Sequence, residues 1–468
     1  MDFVERRAHA LEALVSEGVF DDDDHPLIGV LDRQAVQDRV RELQDAFDGP
    51  GRRLHTVAAK AATLVPVLGW FAEAGMGCEV ASPGELAMAL EAGFDPSRIV
   101  FDSPAKTRTE LRHALELGAD LNIDNVQELE RIDHLRHDAD HDPARPAPGI
   151  GFRVNPQTGA GSIEAMSTAS NTSKFGVGLA DPGTRQMLFE AYAARPWLNQ
   201  LHVHSGSQGM ALKQIAAGIG AVYELAEEIN ARLGYRQVDR IDIGGGLPVN
   251  FTSEETTPTF REYRTAIEDV VPGLFAGRYA ITTEFGRSLL AKAGTIVARV
   301  EYVKHIGGRQ VVITHAGAQV ATRTAFAPES WPLRVSLHTP GGELKAAGSA
   351  QEGAGQETAG QVGTGLRSDV AGPCCFSGDL LTEDVELPAA EPGDLVAVHD
   401  TGAYYFSTPF AYNALPRPEV RGYEVDPADG SVRWEGIRRA QSVEEILAES
   451  GGRGPRPTEG RGRAESVG

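Results

Sequence analysis

From Leu54 onward two textures alternate along the chain. Short β-branched or apolar runs end in turns rich in polar residues or glycine: RLHTVAAK (Arg53–Lys60), GCEVAS (Gly77–Ser82), RIVFDSP (Arg98–Pro104), DLNID (Asp120–Asp124), GIGFRVN (Gly149–Asn155), QLHVHSGS (Gln200–Ser207), RIDIGGG (Arg240–Gly246) and YAITTEFGR (Tyr279–Arg287). Between most of them lie stretches such as PGELAMALEAG, TRTELRHALELG, NVQELERIDHLR and AAGIGAVYELAEEINARLG. Their apolar residues fall at i, i+3, i+4 and i+7 with glycine near the ends, the period of amphipathic helices. Eight such strands alternating with helices predict an α/β fold, a (β/α)8 TIM barrel over residues 36–287 rather than an open doubly wound sheet. The long polar stretch PQTGAGSIEAMSTASNTSKFGVGL, after Asn155, reads as a functional loop.

After Arg287 strand-like runs follow one another without intervening helices: AGTIVARVEYVKH, RQVVITHAG, PLRVSLH and GDLVAVHDTGAYYF. They predict a mostly β domain over residues 288–447. Residues 1–35 are expected to pack on it. The Gly-, Ala- and Gln-rich stretch Gly341–Asp369 reads as a flexible insertion, Asp21–Asp24 as a solvated loop and residues 448–468 as a disordered tail.

A formal charge of −22 argues against nucleic acid and anionic membranes, both polyanions that reward clustered Lys and Arg. A small molecule is the expected partner. No apolar run reaches about eighteen residues, and acids and bases occupy the N-terminus where a secretory signal would be apolar. The expected location is the cytoplasm. Three cysteines, the isolated Cys78 and the adjacent pair Cys374 and Cys375, do not make a four-ligand zinc pattern, and no metal is expected. Adjacent cysteines seldom bond to each other, so each thiol reads by default as a small buried side chain.

The working groups of such a barrel collect at the C-terminal ends of its strands. Those ends carry Lys60, Ser82, Asp102, Asp124, Arg153 with Asn155, His204 with Ser207, the glycines Gly244, Gly245 and Gly246, and Glu284 with Arg287. Lys60 closing an apolar strand is either a snorkelling surface lysine or a desolvated amine of lowered pKa that forms a Schiff base. Three successive glycines are either a tight turn or a row of bare N–H groups for a phosphate. His204 could equally be a satisfied core histidine. Glu284 is either a surface carboxylate or the partner of a cofactor pyridine. Together they describe a pyridoxal 5'-phosphate site.

These residues carry a family resemblance over roughly Leu54 to Val420. The chain resembles the barrel-type pyridoxal phosphate enzymes that decarboxylate amino acids, most of all the diaminopimelate decarboxylases, with ornithine decarboxylases and alanine racemases more distant. VAAKA is similar to their lysine motif, which implies that Lys60 binds the cofactor covalently. HVHSGSQ implies His204 against the cofactor ring and Ser207 near its phosphate. GGGL resembles the phosphate loop, Gly244 to Gly246. EFGR resembles EPGR, with Glu284 at the pyridine nitrogen and Arg287 near phosphate or substrate carboxylate. RVNPQTGAG, SKFGV and DTGAYYFS also match, and the last implies that Tyr404 reaches the phosphate. Arg323 stands where the decarboxylases hold a substrate carboxylate. GPCCFSGD is similar to GPxCESGD, which implies that Cys375 crosses a dimer interface into the partner's site, that Asp379 shapes its loop, and that the protein is a homodimer with shared sites. In that motif the residue after the cysteine is a glutamate that receives a distal amine, and here it is Phe376. Phe326 and Trp331 add aromatic character after Arg323. The implied activity is decarboxylation, by default of diaminopimelate. A different amino acid, a racemase on the same site and a non-catalytic pyridoxal phosphate-binding protein stand as alternatives.

Overall fold

The computed structural model describes residues 1–20, 25–137, 147–159, 161–163, 167–170, 172–346 and 365–452. The solvated loop expected at Asp21–Asp24, most of the insertion and the end of the tail lie outside them.

All eight expected runs become strands of one closed parallel barrel: Arg53–Ala58, Gly77–Val80, Ile99–Asp102, Asp120–Ile123, Ile150–Asn155, Gln200–His202, Arg240–Asp242 and Ala280–Phe285. The last closes on the first, with Thr283 opposite His55. Gly77–Val80, Ile99–Asp102 and Asp120–Ile123 are buried at every position, as strands covered by helices outside and packed side chains inside must be. Local chemistry sets the helix ends. Thr107 caps Arg108–Leu117 in a capping box with Glu110, and Gly118 ends it at φ +75°, a left-handed position that glycine takes without strain. The chain then enters Asp120–Ile123.

In the second sheet Leu27–Asp32 runs antiparallel to Gly294–Ile306 and parallel to Glu419–Val425. Helix Phe3–Ser16, capped by Asp2, lays Ala10, Leu11 and Leu14 on Ile28, Val30 and Val297. The N-terminal segment thus enters the middle of the sheet.

Two expectations need correction. Residues Ala318–Phe326 form a helix where only strands were expected. The support is tertiary: the buried Asp379 carboxylate accepts the Ala318 N–H at 2.5 Å, a contact that local propensity does not report. Leu366–Asp369, assigned to the insertion, opens strand Leu366–Ala371, held between Arg309–Thr314 and Leu380–Leu387 with Ser368 and Val370 fully buried.

Barrel, sheet and N-terminal helix meet at Glu254. Its carboxylate accepts from Arg334 Nη1 at 2.7 Å and Arg7 Nη2 at 2.6 Å, while Arg334 and Lys292 share Asp400. Partial burial works to raise Glu254, but the two guanidiniums outweigh it and bring its pKa down from 4.5 to about 2. A carboxylate with a depressed folded pKa stabilises above its unfolded value, and that contribution fades as pH falls toward 2. Glu254→Gln is therefore expected to cost about 1–2 kcal/mol at pH 7, after discounting for a side chain about one-third exposed. Melting temperatures of the two proteins, compared from pH 7 downward, should begin to approach each other near pH 4.5 and converge only as pH falls toward about 2.

Candidate active site

A cavity of about 220 Å³ opens at the C-terminal end of the barrel strands. Lys60, His204, Ser207 and Gly246 line it from the barrel loops, and Glu284, Arg287, Arg323 and Tyr404 complete it.

Lys60 sits in the turn Ala59–Ala61 immediately after the first barrel strand. The other domain fixes that turn: Tyr404 N–H donates to Ala61 O at 2.7 Å, and Ser407 Oγ to Lys60 O at 2.8 Å. The lysine side chain is 43 % exposed, toward the cavity, and its ammonium pairs with Glu79. Desolvation alone would lower its pKa, but Glu79, Tyr404 and Glu284 outweigh it and the amine is raised above its ordinary value. This corrects the lowered pKa expected from sequence, and the cause is Glu79. Burial in turn raises Glu79, which Lys60 counteracts, and Glu79 Oε1 has no hydrogen-bond partner.

The glycine turn is dictated by close approach. A Cβ on Gly245 would stand 2.1 Å from the Glu284 carbonyl oxygen, and one on Gly246, at φ +99°, 2.3 Å from that of Gly206. Gly244, at φ +64°, donates its N–H to Asp242 Oδ1 at 2.9 Å. Gly245 N–H donates to His204 Nδ1 at 3.2 Å, which leaves the ring hydrogen on Nε2. Burial, with Arg153 and Lys60, holds His204 far below its usual pKa, so its ring is neutral.

Glu284 is buried at the floor, with Oε1 accepting from Asn122 at 3.4 Å and Oε2 3.5 Å from His202 Nε2. Burial, reinforced by Glu79 and Asp102, pushes its pKa up to about 8, with Lys60 opposing. It can hold a proton at neutral pH. Asp102, His202 and Glu284 bring ligand-type atoms within 4.8 Å of one another, yet Asp102 is committed to Arg153 and Glu284 to Asn122.

Arg287 and Arg323 share two aromatic faces. Arg287 lies 4.5 Å from the ring centres of both Trp331 and Tyr404, and Arg323 5.1 and 4.7 Å from them. Burial and the neighbouring Arg323 bring Arg287 down to about 10. Arg287 Nε and Arg323 Nη1 are buried without a hydrogen-bond partner, and neither side chain makes an ion pair among the described residues.

Cys375 and Phe376 do not line this cavity. Cys375 is exposed, with its N–H donating to Asn413 Oδ1 at 2.8 Å. Cys374 is buried, which pushes its thiol up to about 11, and its N–H donates to Asp379 Oδ2 at 2.6 Å. Asp379 thus braces the cysteine loop and the start of Ala318–Phe326 together.

Residues 33–291 match the family model described as pyridoxal-dependent decarboxylase, pyridoxal binding domain. The chain belongs to that family. It is 32 % identical to the diaminopimelate decarboxylase of Pseudomonas fluorescens over 424 residues, 90 % of this chain and 91 % of that protein. It is 29 % identical to the one from Methanothermobacter thermautotrophicus, covering 88 % and 91 % of the two chains. Among solved structures, diaminopimelate decarboxylase from Helicobacter pylori with L-lysine is 26 % identical and superposes with a TM-score of 0.76, covering 93 % of this chain and 99 % of that one. The protein is a pyridoxal phosphate-dependent decarboxylase with the family's barrel and a separate mostly β domain.

This decarboxylase has a donor set that fits pyridoxal phosphate. A lysine at the rim, a glycine turn with no room for a Cβ, a buried carboxyl raised by its surroundings and two guanidiniums without carboxylate partners converge on one cavity. Lys60 would hold the cofactor covalently, Glu284 would face the pyridine nitrogen, and Ser207, the turn Gly244–Gly246, Arg287 and Tyr404 are available to its phosphate. The cofactor supplies the electron sink for the pair left when carbon dioxide departs.

Sequence reading missed the layer beneath. Glu79, Asn122, His202 and Asp242 are all buried in barrel strands, with Asn122 donating to Asp242 at 3.2 Å. The available signal was a polar residue inside each short apolar run: GCEV, DLNI, QLH and RID.

Proposed function

We propose that this decarboxylase removes the α-carboxylate of a free amino acid, diaminopimelate being the substrate named for its relatives, with the side-chain end of its own substrate selected by its own residues. It acts in the cytoplasm as a homodimer with shared sites, Cys375 and Phe376 of one protomer facing Lys60 of the other. The observation that carries this reading is the convergence of Lys60, Glu284, Arg287, Arg323 and Tyr404 on one cavity while Cys375 stands exposed outside it. Lys60 would hold the cofactor until the substrate amine takes that place, and Glu79, already paired with Lys60, is positioned to receive the freed amine. Arg323 orients a substrate carboxylate through its unpartnered Nη1. Glu284 would give its proton to the ring nitrogen and hold that nitrogen protonated, and Cys375 would return a proton to the substrate α-carbon.

Carbon dioxide release and optical rotation, measured together over a panel of amino acids, test this reading. Carbon dioxide is expected from at least one member. Loss of rotation without it would assign racemisation, and silence on both would leave only binding. Borohydride is expected to bleach the visible band and fix the cofactor to the chain. A protein that stays colourless after incubation with pyridoxal phosphate would contradict the site assignment.

A further inference from the structure

Four aromatic side chains close a cycle on the surface beside Cys375. Phe326 stacks on Phe376 with ring centres 5.5 Å apart and planes 7° apart, and Phe410 stacks on Tyr412 at the same distance and angle. The two pairs meet edge to face, Phe326 with Phe410 at 5.6 Å and Phe376 with Tyr412 at 5.5 Å. This cycle links the helix that carries Arg323 to the loop that carries Cys375. Phe326 lies one turn beyond Arg323 on helix Ala318–Phe326, and Tyr412 Oη donates to the Cys375 carbonyl at 3.4 Å. Phe326 is 61 % exposed and Tyr412 38 %, so apolar area faces outward where Cys375 does.

Charge around the cavity is one-sided. Arg287 and Arg323 face it without ion-pair partners among the described residues, and the carboxylate lining it, Glu284, is engaged by Asn122 at the floor. In a shared site the quartet of one protomer would face the cavity of the other, and an ammonium extended from a substrate there would meet guanidinium repulsion and then four rings that carry no carboxylate. A ring face attracts a cation less strongly than a carboxylate does, each stacked pair covers one face of both its rings, and ring edges carry positive charge. Rings at these separations touch, so the quartet is a filled wall and not an open cage.

We propose that this quartet forms the far wall of the substrate site and restricts the enzyme to amino acids whose side chain ends in an uncharged group, apolar, aryl or amide-capped, against those ending in a free ammonium. The proposal rests on the decarboxylase reading and on the shared site, since Phe376 travels with Cys375.

Its test uses the cofactor-loaded full chain and a matched pair, lysine and Nε-acetyl-lysine, each as both enantiomers, with phenylalanine and meso-diaminopimelate alongside. Expected is a kcat/KM for the acetylated member at least about tenfold above lysine, because the two differ mainly in the terminal charge that the wall must accept. Phe376→Glu should invert that ratio, and Phe376→Leu should keep it. Wild-type preference for lysine or diaminopimelate, or an unchanged ratio in Phe376→Glu, overturns the proposal and leaves the decarboxylase reading intact. Absence of carbon dioxide from the whole panel, in protein that carries the cofactor, overturns both.

Discussion

Lys60→Ala is expected to reduce carbon dioxide release by about three orders of magnitude or more if Lys60 holds the cofactor, because no other lysine lines the cavity among the described residues. Borohydride should no longer fix the cofactor to the chain. Both readouts concern the lysine's chemistry, and its structural role must be separated from them. Removing the ammonium leaves Glu79 buried without its counter-charge, and an uncompensated buried carboxylate costs about 3–5 kcal/mol unless it is protonated. Burial already raises the pKa of Glu79, so in the variant it is expected to take up a proton. A carboxyl whose folded pKa is raised favours the fold below its unfolded pKa and loses that advantage as pH rises through the folded one. The melting temperature of Lys60→Ala should therefore fall more steeply with rising pH than that of the wild type. Lys60→Ala combined with Glu79→Gln should flatten that slope while staying inactive. A flat slope in the single variant would mean that Glu79 is stable without Lys60. Activity retained in either variant would remove Lys60 from the chemistry.

The barrel was legible because each strand is a short apolar run bounded by turn residues, and each intervening helix carries its own period and stop, as Gly118 does. The rim residues were legible for the same reason, since strand ends can be read off and Lys60, His204, Glu284 and Arg287 stand there. What lies beneath the rim was not. Glu79 and His202 interrupt apolar runs, and a periodicity argument treats them as noise although both point into the barrel network. The raised pKa of Lys60 follows from Glu79, which belongs to a different strand. Helix Ala318–Phe326 was hidden because Asp379, far along the chain, holds its first turn. Strand Leu366–Ala371 was hidden because its pairing partners, not its composition, make it a strand. Contacts between distant segments account for each of these cases.

Mixing Lys60→Ala chains with Cys375→Ala chains is expected to restore activity that neither possesses alone. Within its own chain Cys375 is exposed and does not line the cavity that holds Lys60. If each site draws its lysine from one protomer and its thiol from the other, a mixed dimer contains one doubly defective site and one intact site. Equal amounts of the two chains, allowed to exchange subunits, give mixed dimers in half of the population, so recovery should approach about a quarter of wild-type activity. Cys375→Ala alone is expected to lose about 10²–10⁴-fold, the range for a positioned proton donor. Cys374→Ala should lose little, because that thiol is buried and its pKa is raised to about 11. Recovery must depend on subunit exchange, so cross-linking each variant before mixing should prevent it. Failure to recover in freely exchanging dimers would place Cys375 in the site of its own chain or outside the chemistry. In either case the aromatic quartet would have no route into a partner's site, so its selectivity for uncharged side chains stands or falls with this complementation.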